Sequence, residues 1–384
     1  MNTDRLSPRA SRALVALLTL LFSAVFLWSG NRIAAAGGGA LPPLTDDGFL
    51  RAEVVEILSS EEENGILELQ FSAQLEGGEQ VTAIQQANTA SAVELPPVEP
   101  GDRITLYPNP DPATADSVPY RLDDYLRVDG VLVLVGVFLL GLILLGRGKG
   151  VRTVVSLALT CAAVFWVFLP LVLGGFNVYL AAIVVCLYVT VATLLLVGGP
   201  DRKTLVAMAG CIGGVLLSGL LTVLVSRLLH LTGMADQDAI YLADLTTRNP
   251  LNLEGIVFAG VLIGAVGAIM DVAMSLASAL WELRCEAAAP TARLLARSGM
   301  TIGRDMMGTM ANTLVLAYIG SSLSTVLLLV AYATSAEVLL NREMIATELL
   351  RAVVGSLAIL ITIPLTSLLA AWIYTRENRT KPAG

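Results

Sequence analysis

Between Gly267 and Leu280 the chain reads GAIMDVAMSLASAL, and Asp271 is the one ionisable side chain in it. A carboxylate inside such an apolar run costs several kcal/mol unless it faces protein or water and has a partner. On a helix, positions 260, 264, 267, 271, 274 or 275, and 278 share a face. Here they are Gly260, Gly264, Gly267, Asp271, Met274 or Ser275, and Ser278. The small residues form a groove for helix packing, and the carboxylate projects into it. Gly260 and Gly264 also make a GxxxG pair that lets another helix approach closely, and Gly210 with Gly214 repeats the spacing on a candidate partner surface.

A second polar group lies in SGMTIGRDMMGTMANTLVLAYIGSSL, where Thr309, Asn312 and Gly320 share a face with Asp305 while Thr313 and Ser321 flank it. If that helix packs against the one carrying Asp271, then Ser275, Thr309 and Asn312 bring hard oxygens to one carboxylate. Such a set suits a proton or a Na⁺-like cation better than zinc. Arg304 and Asp305 are expected near the cytoplasmic interface, as a switch that moves with loop 283–303. The alternative is structural: serine, threonine and asparagine bond across membrane helices as glue, and Asp271 is held by Arg304 or stays protonated.

No catalytic residue is identified, because the chain has no P-loop, GxSxG or HExxH. An intramembrane aspartyl hydrolase needs two carboxylates close together, whereas Asp271 and Asp305 are expected at different depths. Cys161, Cys186, Cys211 and Cys285 lie in or beside apolar segments without metal-type spacing, and His230 is the sole histidine. No metal site and no cofactor is expected.

The elements that position these residues belong to a membrane composition. The 384 residues are 55% hydrophobic and 15% charged, with a mean hydropathy of +0.74. Of 32 acidic residues, 18 fall between 31 and 129 against five arginines, which argues against nucleic acid as a partner. Eight segments reach the length that a spanning helix needs: 12–30, 130–146, 153–173, 177–198, 204–226, 254–281, 308–333 and 352–374. The lysines and arginines of the short connections place both termini in the cytoplasm, with the chain embedded in the cell membrane. The first segment is either a cleaved signal peptide or a retained anchor, and the anchor is the reading favoured here.

Residues 31–127 differ in kind. LRAEVVEIL, GILELQFSA, EQVTAIQQ and PGDRITLYP are short β-prone runs separated by turn residues, so four or five strands are expected in a small exported barrel of the OB or SH3 sort. PNPDPATADSVP is read as a tether, and YRLDDYLRVDG as a lead into the second span. The expected organisation is thus an anchor or signal at 1–30, an exported β-rich part at 31–127, a multi-helix membrane domain at 128–375 and a cytoplasmic tail at 376–384.

In GVLIGAVGAIMDVAMSLASALWEL and SGMTIGRDMMGTMANTLVLAYIGSSL the chain resembles the YibE/F family of bacterial multi-pass membrane proteins. The likeness extends more loosely over roughly residues 50–375, and departs from the family at Ser324, where proline is expected. It implies an integral cytoplasmic-membrane protein with an exported β-rich part, and supplies no substrate. Gly267, Asp271, Ser275, Ser278, Gly303, Arg304, Asp305, Gly308, Asn312 and Tyr318 match its motifs without an assigned role. Two functions stand at this point. One is a transporter or permease that couples to an ion or proton at Asp271 and carries a small solute. The other is an interaction protein whose exported domain binds an envelope partner, with the spans as its anchor in the lipid bilayer.

Overall fold

The computed structural model describes residues 8–39, 49–63, 66–88, 96–109, 118–235, 238–239, 241–242, 251–287, 290–332 and 335–376. The tail beyond Arg376 and most of the expected tether lie outside them. The chain divides into two units, Pro42–Gly141 and the remainder, Met1–Leu41 with Leu142–Gly384.

The first unit is a small β-barrel. Strands β1 (Leu50–Glu63), β2 (Ile66–Leu75), β3 (Gln80–Asn88), β4 (Arg103–Pro108) and β5 (Tyr120–Tyr125) close in the order β1-β2-β3-β5-β4. Alternation along the strands sends Val54, Phe71, Ala73, Ala83, Ile104 and Leu106 into a common core. The buried amide of Gln85 accepts from Val98 N–H and donates to Pro96 carbonyl, both at 2.9 Å, and so fixes the segment that leads to β4. YRLDDY is therefore a fifth strand and not a lead into a membrane span. It pairs in parallel with β3 at Ala83↔Tyr120 and antiparallel with β4, which closes the barrel. At its end Asp124 accepts from Arg127 at 2.6 Å and from Tyr125 N–H at 2.7 Å, and these bonds hold its carboxyl below the usual carboxylate range.

The second unit is helical. Its elements are α1 (Pro8–Ala36), α2 (Val128–Ala163), α3 (Leu169–Leu173), α4 (Val178–Gly198), α5 (Arg202–Leu228), α6 (Leu253–Glu286), α7 (Ala292–Ser321), α8 (Leu323–Tyr332), α9 (Ala336–Leu340) and α10 (Glu343–Arg376); α2 begins in the barrel's unit and continues here. Side-chain oxygens of Asn177, Asn252 and Thr291 accept from the amides of Leu180, Gly255 and Leu294 and start α4, α6 and α7.

Within α2 the stretch GRGKG breaks the helix at Arg147 (φ 49°, ψ −129°). A Cβ on Gly150 would stand 2.0 Å from the carbonyl oxygen of Leu142. In a straight helix those residues are about 12 Å apart, so the chain doubles back there. Among the described residues six helices are long and apolar enough to cross a membrane, or seven if α7 and α8, bent by 66°, count as one span. The expected eight is reached only by also counting the two arms of α2 separately.

The core of the bundle is α6. It buries Phe258, Leu262, Ile269, Leu276 and Leu280 among residues of α4, α5 and α10. Close approach at glycines sets the alignment of the neighbours. A Cβ on Gly210 or Gly214 would come within 2.2 Å of the Thr366 or Thr362 hydroxyl, so α5 runs antiparallel to α10. The Gly210/Gly214 pair thus receives the threonines that flank Pro364, and not the Gly260/Gly264 surface expected of it.

Candidate functional site

Four contacts fix how α7 lies on α10. Gly299 stands against Ser367 and Gly303 against Ile363, Leu314 reaches Gly355, and the Ser322 hydroxyl just past α7 donates to Glu348 at 2.6 Å. Each step forward on α7 is a step back on α10, so the two helices cross the same layer side by side. The polar start of α7, from Ala292, therefore packs alongside α10. Extending the register from Gly303 puts Arg304 and Asp305 beside Thr362 and Ile361, at mid-length of α10.

Two contacts align α6 with α7. A Cβ on Gly264 would meet the Tyr318 hydroxyl at 2.3 Å, and Leu280 stands 3.1 Å from the corresponding position on Gly299. Between these points Asp271 falls level with Met310, so Thr309 and Asn312 lie within a turn of its depth. Arg304 and Asp305 fall level with Ser275 and Leu276. Asp271 and Asp305 are then separated by about 6 Å along the axis, at 1.5 Å per residue.

The expected face of α6 is real and open. Gly260, Gly264, Gly267, Asp271 and Ser275 are exposed and Ser278 is half-buried, while the opposite side of the same helix is in the core. A Cβ on Gly267 would meet nothing within 4 Å. Asp271 makes no hydrogen bond or ion pair among the described residues, so the salt bridge to Arg304 is absent there, and Arg304 and Asp305 have no ionic partner either. No hydrogen bond joins Ser275, Thr309 or Asn312 to Asp271. The Thr309 hydroxyl donates instead to Met306 carbonyl at 3.0 Å, and Thr313 to Thr309 carbonyl at 2.8 Å. Thr309 and Asn312 stand exposed on the side of α7 away from Gly299 and Gly303.

Sequence reasoning missed a second polar cluster. Glu348 accepts from Arg351 at 2.5 Å and from Ser322 at 2.6 Å, with the two charged side chains 21% and 29% exposed. Tyr318, one turn before Ser322, buries a hydroxyl that has no partner among the described residues. The Arg351 Nε lies 3.9 Å from where a Cβ on Gly260 would stand. The i,i+3 spacing of Glu348 and Arg351 is the signal that the sequence offers.

The helix directions gather charge at one end of the bundle. The starts of α5 and α7 and the ends of α6 and α10 lie together, with Arg202, Lys203, Arg284, Arg293, Arg297 and Arg376. Arg12, in α1, joins Asp201 there at 3.1 Å.

The sequence pattern of the family described as YibE/F-like protein matches residues 134–376, which takes in every residue of this site. No curated protein and no solved structure matches.

Proposed function

Because the chain belongs to the YibE/F-like family, by a match over more than half its length, we propose that it is a membrane-embedded permease whose Asp271 takes up a proton or a monovalent cation. The carrying observation is that Asp271 stands exposed and unpartnered among the described residues, on a glycine and serine face of the central helix. A carboxylate held for structure alone would be bonded. Support also comes from Arg304 and Asp305, about one turn nearer the start of α7 than the level of Asp271. In this reading those two charges respond to the occupancy of Asp271, and the cationic end of the bundle is cytoplasmic.

The test is the thermal stability of the purified full chain across pH and across Na⁺, K⁺ and divalent chlorides, beside Asp271→Asn. Whatever binds the native state stabilises it, so one ion or a pH step should raise the wild-type midpoint and leave the variant flat. Parallel responses in both proteins would sink the proposal. A second reading, an interaction protein working through its barrel, is favoured by Val55, Ile57 and Leu58, which stand 41%, 41% and 51% exposed on β1. Its test is retention of an envelope component by the immobilised full chain but not by a chain with all three changed to serine.

A further inference from the structure

We propose that the open polar face of α7 is the interface between two copies of this chain, related by a two-fold axis along the membrane normal. The inference rests on the bundle lying in a membrane, and not on what Asp271 binds. Helix α7 buries Leu295, Gly299 and Gly303, whereas Arg304, Asp305, Gly308 and Asn312 are exposed on its other side and Thr309 is exposed at its flank. The register against α10 puts this set beside the middle of a helix that is long and apolar enough to span. In a single chain, hydrocarbon would meet a guanidinium, a carboxylate and a primary amide there. Such groups in a bilayer face protein or water.

Charge and depth identify the occupant. Arg304 and Asp305 are adjacent, opposite in sign and without an ionic partner among the described residues. A two-fold axis along the membrane normal keeps every residue at its own depth, so only groups at nearly equal depth can pair across it. The two differ by about 1.5 Å. The Arg304 of each copy therefore meets the partner's Asp305, and one operation satisfies four charges, as a self-complementary interface requires. The same operation brings Asn312 to its counterpart, and an amide both donates and accepts. A Cβ on Gly308, which lies between Arg304 and Asp305 around the helix, would meet nothing within 4 Å, so the backbones can approach closely there.

The experiment counts copies of the full-length protein in phosphatidylcholine/phosphatidylglycerol vesicles at low protein-to-lipid ratio, by photobleaching of a single fluorophore on each chain. Wild type should bleach in two steps. Arg304→Asp and Asp305→Arg, each of which sets like charges face to face, should raise the dissociation constant of the dimer at least tenfold and give mostly single steps. The double exchange, Arg304→Asp with Asp305→Arg, should restore two steps. Asp271→Asn should remain two-step, which separates this inference from the ion-binding one. Single-step bleaching of wild type at every ratio would overturn it, because the face would then line water or meet a different protein. A stoichiometry above two, a double exchange that stays monomeric, or loss of dimer in Asp271→Asn would overturn it equally.

Discussion

The depth of Arg304 and Asp305 depends on the register of α7 against α10, and that register is testable at Gly303. A Cβ there would stand 2.1 Å from Cγ2 of Ile363 and 3.2 Å from its Cβ, and Ile363 is 3% exposed. The contact is with the stem of a stiff, β-branched side chain, so the methyl cannot be accommodated by a rotamer change alone. Overpacking of this kind costs about 1–3 kcal/mol. The better helix propensity of alanine offsets up to about 1 kcal/mol. Gly303→Ala should therefore destabilise by about 0.5–2 kcal/mol. Ile363→Ala alone should cost about 2–5 kcal/mol by leaving a cavity. In the double variant the new methyl enters that cavity, so its loss should fall short of the sum of the two single losses by at least about 1 kcal/mol. Reversible unfolding in mixed micelles measures all four corners of the cycle. Additivity to within about 0.5 kcal/mol would mean that the two residues do not touch, and the mid-bundle placement of Arg304 and Asp305 would go with the register.

At the other α7 contact, Gly264→Ala should destabilise by up to about 2 kcal/mol after the same helix-propensity offset, because the methyl would stand 2.3 Å from the Tyr318 hydroxyl. Tyr318→Phe should be nearly neutral alone, since its buried hydroxyl has no described partner to lose, and should rescue Gly264→Ala; thermal midpoints that show no rescue would refute the contact. In the barrel, Asp124 titrates below its unfolded value through Arg127 and Tyr125 N–H. Its stabilisation is thus complete above the unfolded carboxyl value and is lost as pH falls through the folded one. An acid titration of stability should show a shallower loss in Asp124→Asn than in wild type, and superimposable curves would contradict the assignment.

Much of this architecture is legible in the residues, and the failures have physical causes. The β-prone runs give four of the five strands, but YRLDDY has no strict apolar alternation and draws its pairing from β3 and β4. The small-residue face around Asp271 follows from helical periodicity, but the neighbouring helix expected on it leaves it mostly uncovered. Periodicity cannot say which helix covers a face: Gly210 and Gly214 meet Thr362 and Thr366, because a pair of glycines accepts any small partner at the same spacing. One side of α7 is polar from Arg293 to Asn312, which hides from any window average that the helix begins at Ala292. Its packing against an apolar neighbour, α10, reveals it.

That neighbour also follows the others in chain order. As the chain is synthesised, α5, α6 and α7 all leave the ribosome before Glu343, yet each of them packs against α10. Until then Gly210 and Gly214 have no threonines to close on, and Gly299 and Gly303 lack Ser367 and Ile363. Biogenesis must hold an incomplete bundle, those glycine surfaces uncovered, for as long as this 34-residue helix takes to arrive. A nascent chain stalled within the connection after α8 would present those surfaces to whatever insertion factor accompanies it.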